Sequence, residues 1–139
     1  MMLVAFYRDV SLLTRAKEIA SKTRDIGIRV SSIKDIHKII SEIKYVEENK
    51  DITRDPEETL KLKQGDCEDI AVLVHSIAKF SGYRSGIAIM YTYEDSDAHA
   101  IAYINNGDKI VVFSNNDMFF ASDLKEATKM LGYDTYVST

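Results

Sequence analysis

Apolar residues recur at helical spacing through the first half of the chain, a pattern that predicts amphipathic helices packed on a core. Residues 2–7 form a short apolar run that fits either a strand or the start of a helix. Ser11 is the candidate N-cap of a helix that ends before Gly27, and Ser32 begins a second helix. The apolar stripe of this second helix consists of Ile33, Ile36, Ile39, Ile40, Ile43 and Val46.

Two further helices carry clear signals at their N-termini. Residues 55–58, an Asp-Pro-Glu-Glu segment, provide a capping aspartate, a proline at the first helical position and two acids where the helix dipole favours negative charge. That helix stops before Gly65, and another runs from about Cys67 to about Phe80. The buried face of the Cys67 helix is predicted to contain Ile70, Leu73, Val74, Ile77 and Ala78.

From residue 87 onward the apolar residues alternate with a period of two, which is typical of strands. Residues 98–104 and 109–113 are predicted as two more strands, and the Asn-Asn-Gly-Asp segment at 105–108 is a strong hairpin signal between them. Ser122 is the candidate cap of a short helix that reaches Met130, and residues 135–137 are predicted as a terminal strand. Because the helices come first and the strands later, the pattern predicts an α+β fold with N-terminal helices packed on an antiparallel sheet.

Composition and charge narrow the class of protein. With 139 residues, 45% of them apolar, the chain is expected to form one domain over residues 1–139. Its single cysteine excludes an intrachain disulfide and a cysteine-rich zinc module. A net charge of -4 argues against a nucleic-acid partner. The lack of a long apolar segment argues against a membrane protein, so we expect a cytoplasmic location, where a lone thiol stays reduced.

The charge is unevenly distributed along the chain. Residues 1–63 hold 13 Lys or Arg and 11 Asp or Glu, whereas residues 64–139 hold 5 and 11. The acidic half contains both Cys67 and His99. A solvated acidic face is the ordinary explanation, and the alternative is an acidic rim that attracts a cationic or lysine-bearing substrate.

Cys67 is the candidate nucleophile. It opens a predicted helix, where unpaired backbone N–H groups and the helix dipole favour a thiolate. The neighbouring acids Asp66, Glu68 and Asp69 act in the opposite direction, because like charge raises the pKa of a thiol. His99, at the start of a predicted strand, is the candidate base that accepts the thiol proton. The alternative is that Cys67 is a small buried apolar residue, the commonest fate of a free cysteine.

These residues do not suggest a metal or a cofactor. His75 follows Cys67 by eight positions, which is roughly 12 Å along a helix axis and too far for the two side chains to share a zinc ion. The glycines lack the spacing and the Lys-Ser/Thr companions of a phosphate-binding loop. The sequence therefore predicts no cofactor and no metal.

Four segments together resemble the transglutaminase-like superfamily, whose members have a papain-like cysteine protease fold. They are Asp-Pro-Glu-Glu-Thr-Leu at 55–60, Gly-Asp-Cys-Glu-Asp-Ile-Ala-Val-Leu at 65–73, Gly-Tyr at 82–83 and His-Ala at 99–100. Members of that superfamily pair a cysteine that opens a helix with a histidine on one strand and an aspartate on the next. The resemblance covers about residues 33–117 and leaves residues 1–32 as an N-terminal extension packed on the core.

The third member of the site is where this sequence departs from the family's pattern. The position that usually holds the aspartate reads Ser114, which can accept a hydrogen bond from an imidazole but carries no charge. Asn115 is the next candidate, since an asparagine can orient the histidine in papain-like enzymes. Strand alternation points Asn115 to the opposite face unless the strand has ended there. Asp117 is a more distant substitute.

The resemblance implies acyl transfer, in which a Cys67 thiolate attacks an amide carbonyl, a thioester forms, and His99 protonates the departing nitrogen. The backbone N–H of Cys67 would hold the oxyanion, with Gln64 as a candidate second donor. Hydrolysis of a protein or peptide is favoured over cross-linking, because so small a chain has little with which to exclude water from a thioester. Two alternatives stay open: a catalytically idle domain that binds a protein, and a structural α+β domain with a buried cysteine.

Overall fold

Helices occupy the first part of the chain and strands the second, as the sequence pattern predicts. The structure, a computed structural model, describes residues 2–47, 52–94 and 97–139, with side chains from Val10 onward. In these ranges the elements are α1 (Met2–Ala20), α2 (Ile33–Ile40), β1 (Lys44–Tyr45), α3 (Pro56–Leu62), β2 (Gln64–Gly65), α4 (Cys67–Phe80), β3 (Ser85–Tyr91), β4 (Ala98–Asn106), β5 (Lys109–Ser114), β6 (Asp117–Ala121), α5 (Leu124–Met130) and β7 (Thr135–Ser138).

The five long strands form one antiparallel sheet in the order β6-β5-β4-β3-β7. Successive residues of a strand point to opposite faces of the sheet, and in the central strands both sets of side chains are apolar. Ile87 and Ile89 of β3 pack with the helical layer that contains α4, whereas Ala88 and Met90 pack with Ala127 of α5 on the other side. The sheet is therefore covered on both faces, with α4 buried along most of its length.

A short parallel pair joins two distant segments just before α4. Lys44 of β1 pairs with Gln64 of β2, and Tyr45 pairs with Gly65. The backbone N–H of Val46 donates to the carbonyl of Gly65, at 2.9 Å. This pairing holds the chain that follows α2 against the residues that precede Cys67.

Several local predictions are wrong or incomplete. The second helix ends at Ile40, so Ile43 and Val46 of its predicted apolar stripe lie beyond the helix. The apolar run at residues 2–7 is the start of a helix that continues through Ser11, so Ser11 does not cap a helix. The last helix begins at Leu124, and its N-cap is Asp123, whose Oδ1 accepts from the Glu126 backbone N–H at 2.8 Å. Strand β6 was not predicted, and it forms a hairpin with β5 directly after Ser114. The predicted helix over 67–80 and the hairpin at 105–108 are confirmed.

Candidate active site

The start of α4 is fixed by a reciprocal cap. Asp66, in extended backbone conformation, accepts the Asp69 backbone N–H through Oδ1 at 3.0 Å, and Asp69 Oδ2 accepts the Asp66 backbone N–H at 3.1 Å. Such a capping box satisfies two backbone donors that a helix start leaves unpaired. Cys67 is thereby held as the first residue of the helix, and its own backbone N–H is not one of the two donors that the box uses.

Asp69 anchors this helix start to the segment before α3. Its side chain is fully buried, and it accepts from the Arg54 backbone N–H at 2.8 Å and from Arg54 Nη1 at 3.0 Å. Gly65 packs directly on it, because a Cβ at position 65 would lie 2.7 Å from Asp69 Cβ. The Gly-Asp-Cys-Glu-Asp segment is thus explained by local geometry, with glycine giving space and the two aspartates forming the cap.

Cys67 and His99 line the same cavity, of about 350 Å³. Its wall is formed by α1, the residues around β1, the start of α4, the start of β4 and the loop before β7. Further lining side chains include Leu12, Arg15, Tyr45, Glu47, Asp97 and Tyr133. Gln64, the candidate second oxyanion donor, is not part of this wall.

The His99 ring is held on one edge and one face. Its Nε2 lies 2.8 Å from Ser114 Oγ, and the ring stacks on Tyr133 with centroids 6.1 Å apart and planes 11° apart. Burial lowers the pKa of His99, and the nearby Asp97 carboxylate opposes that shift. The imidazole is consequently neutral at pH 7, with Nδ1 as the nitrogen that Ser114 does not occupy.

Cys67 is half-buried and holds its proton strongly. Burial raises the pKa of the thiol to about 11, hydrogen bonding from the Ala100 backbone N–H lowers it, and the charges of Asp66 and Glu68 raise it. Within the described residues, no hydrogen bond joins the Cys67 sulfur to the imidazole. The resting pair is therefore a neutral thiol and a neutral imidazole.

The candidates for the third position occupy one tight turn. Ser114 ends β5 and contacts His99, whereas Asn115 follows in the turn with a φ of 52°, a conformation that asparagine tolerates. The strand has thus ended at the position where alternation would have turned Asn115 away. Asn115 Oδ1 is buried and accepts no hydrogen bond from the part of the chain that the structure describes. Asp117 is exposed and pairs with Ser114 across the hairpin.

This turn is tied to the end of α2. Asn116 Nδ2 donates to the Ile40 carbonyl at 2.8 Å and also to the Ile43 carbonyl, and His37 Nε2 lies 3.1 Å from the Asn116 carbonyl oxygen. These contacts join residues more than seventy positions apart. They position the hairpin that presents Ser114 to His99, a role that the sequence pattern does not reveal for either Asn116 or His37.

Other polar side chains fall outside the cavity. His75 is buried on α4 with Nδ1 2.6 Å from Ser85 Oγ, and burial lowers its pKa to about 4. Over the described ranges, no three His, Cys, Asp or Glu side chains lie close enough together to hold a metal ion. In the same ranges, no helix combines the length and apolar character needed to cross a membrane.

Comparison with known proteins identifies the family of the chain. The family model of the Transglutaminase-like superfamily matches residues 14–115, most of the chain and all of the residues from Cys67 to Asn115. The chain belongs to the transglutaminase-like superfamily. The match begins within α1, so it includes residues that the sequence resemblance had left outside. The division into a core and an extension over residues 1–32 stays a prediction.

Two solved structures are similar in fold. A cysteine protease-type protein from Cytophaga hutchinsonii superposes with a TM-score of 0.52 and 16% identity over 94% of this chain and 48% of that chain. LapG of Legionella pneumophila superposes with a TM-score of 0.54 and 14% identity over 84% of this chain and 79% of that chain. This chain therefore spans about half the length of the Cytophaga hutchinsonii protein. No curated protein sequence matches the chain. The predicted α+β, papain/transglutaminase-like fold is confirmed.

Proposed function

We propose that the protein is a cysteine hydrolase that cleaves an amide bond of a protein or peptide through a thioester on Cys67. The observation that carries the proposal is that Cys67 and His99 line one cavity while Ser114 holds Nε2 of the ring. This arrangement leaves Nδ1 for the thiol. Membership of a superfamily with a cysteine hydrolase-type fold supports the same reaction class.

The neutral resting pair favours general-base catalysis over a preformed ion pair. In the first step Nδ1 of His99 takes the proton of Cys67 as the sulfur bonds to the carbonyl carbon and the carbonyl electrons move to oxygen. Collapse of this intermediate breaks the C–N bond, and His99 gives the proton to the departing amine. Water then attacks the thioester, with its proton passing through His99 to the sulfur, which leaves as the thiol.

Two groups would stabilise charge during these steps. The backbone N–H of Cys67, at the positive end of α4, is a donor for the developing oxyanion. Ser114 Oγ accepts a hydrogen bond from Nε2–H and so favours the imidazolium by a dipole, which is weaker than the full charge of an aspartate. This site accordingly predicts slower chemistry than one with an acidic third residue.

A catalytically idle domain that binds a protein is the second candidate. It is favoured by the burial that raises the pKa of Cys67 to about 11 and by the lack of a hydrogen bond between sulfur and imidazole in the described residues. Catalytic hydrogen bonds often form only when substrate is bound, so this geometry is compatible with both candidates.

The pH dependence of Cys67 alkylation by iodoacetamide separates the two. A general base gives a rate component that is constant from about pH 7 to about pH 9 and disappears in His99→Ala. An idle thiol gives a rate that rises tenfold per pH unit toward its pKa and is the same in both proteins. His75→Gln is the matched control, since His75 is likewise a buried histidine with a lowered pKa but lies outside the cavity. Superimposable profiles for wild type and His99→Ala would refute the proposal that the protein is a cysteine hydrolase with His99 as its base.

A further inference from the structure

A salt bridge on the cavity wall links the first helix to the residue after the nucleophile. Arg15 Nε lies 2.9 Å from Glu68 Oε2, and Arg15 Nη2 bonds the other carboxylate oxygen, Oε1. Thr53 Oγ1 also donates to Oε1, at 3.1 Å. The pair is partly buried, with side-chain exposures of 28% for Arg15 and 20% for Glu68. A two-pronged bond of this kind fixes both distance and orientation.

Glu68 occupies a position that is favourable for the helix and unfavourable for the thiol. In the first turn of α4 its carboxylate interacts well with the helix dipole. The same charge, one residue from Cys67, opposes formation of the thiolate. A guanidinium bound to Glu68 on the cavity side reduces that opposition without removing the carboxylate from the helix start.

We propose that Arg15 is a positioning residue of the site, which holds the Glu68 carboxylate against α1 and offsets its charge beside Cys67. A role for Arg15 in catalysis rests on the proposed function, whereas the effect of Arg15 on ionisation of the Cys67 thiol does not. It also gives α1 a role: Leu12 and Arg15, one turn apart, form the side of the cavity that faces the start of α4.

Other titratable side chains line the same cavity and also influence ionisation of the thiol. The charged ones are Asp66 at the N-cap of α4, Glu47 after β1 and Asp97 before β4, and His99 lies on β4 itself. Tyr45 and Tyr133 contribute phenol groups to the same wall. Arg15 is the one guanidinium among the lining residues, so its removal leaves an acidic wall with no opposing charge from a side chain in the described cavity.

The test is the pH profile of Cys67 alkylation by iodoacetamide, an uncharged reagent, in the full chain. Arg15→Gln is expected to raise the pH at which half of the Cys67 thiol is ionised, which is the midpoint of the profile. Labelling at pH 7.5 should slow by about three- to tenfold. Adding Glu68→Gln to that variant removes the exposed charge, so labelling returns to the wild-type rate or above it. Arg15→Lys, which keeps the charge and loses the two-pronged bond, is expected to fall between wild type and Arg15→Gln.

Arg24→Gln is the matched control, because Arg24 also joins two segments through a glutamate, Glu57, but lies away from the cavity. Its profile is expected to match wild type. A purely structural Arg15 would lower the unfolding temperature with an unchanged midpoint, and Glu68→Gln would not restore labelling; that result would overturn the inference. The midpoint shift in Arg15→Gln and the loss of the pH-independent rate component in His99→Ala are separate measurements. Absence of the first contradicts the role of Arg15, and absence of the second contradicts the proposed hydrolase.

Discussion

Replacing Ser114 by aspartate tests whether the missing charge is what limits the site. Ser114 Oγ already lies 2.8 Å from His99 Nε2, and the residue is 9% exposed, so a carboxylate there would face the imidazole with little water between them. Two unit charges about 4 Å apart at an effective dielectric constant near 20 attract by about 4 kcal/mol. Desolvation of the new carboxylate offsets part of this attraction.

The new carboxylate is therefore expected to raise the pKa of His99, by a net attraction of about 1.4–4 kcal/mol in favour of the imidazolium. A stabilised imidazolium in turn favours the Cys67 thiolate. We therefore expect iodoacetamide to label Cys67 of Ser114→Asp at about pH 6.5 at least tenfold faster than wild type. The gain should disappear when His99→Ala is added, since the carboxylate acts through the imidazole.

Ser114→Asn is the matched control, because it has nearly the same volume as aspartate and accepts a hydrogen bond without charge. Its labelling rate at the same pH is expected to stay within about threefold of wild type. Circular dichroism and the unfolding temperature of both variants establish that they are folded. Equal rates for folded Ser114→Asp and Ser114→Asn would refute the argument that charge at position 114 controls the thiol.

Three further predictions concern stability and the cavity's charge. Asp69→Asn removes the buried partner of Arg54 and one side of the helix cap, and urea denaturation should show a loss of roughly 3–5 kcal/mol; a loss under about 1 kcal/mol would contradict this account of the cap. The pKa of His75 is about 4 when folded, below its ordinary value, so the unfolded chain binds the proton first as pH falls. The folded state should lose up to roughly 3 kcal/mol between about pH 6.5 and pH 4, and His75→Gln should flatten that dependence. The acidic cavity wall should make a cationic methanethiosulfonate react with Cys67 at least about threefold faster than an anionic one, a ratio that Glu47→Gln reduces and that does not depend on the thiolate fraction.

Signals that lie within one turn of helix or one hairpin made much of the fold predictable. The start of α4 follows from the Gly-Asp-Cys-Glu-Asp segment alone, because the capping box joins residues three apart. The hairpin between β4 and β5 follows from its Asn-Gly turn. The relation between Cys67 and His99 came from the family resemblance and from their order along the chain.

The parts that could not be predicted depend on contacts between distant segments. Arg15 meets Glu68 across fifty-three positions, and nothing in the helical pattern of α1 distinguishes this arginine from its neighbours. Tyr133 stacks on His99 from a loop beyond the last predicted helix. Strand β6 did have a local signal, since Asn115 can adopt positive φ and an apolar run over residues 118–121 follows it.

Acylation by p-nitrophenyl acetate tests the central claim that Cys67 forms a thioester with the help of His99. We expect a burst of p-nitrophenol equal to the protein concentration, an acetyl group located on Cys67 by peptide mass spectrometry, and slow loss of that group to water. Cys67→Ala should abolish the burst, and His99→Ala should slow both steps by about a hundredfold or more. Acetylation confined to lysines, or equal rates in wild type and His99→Ala, would contradict the account.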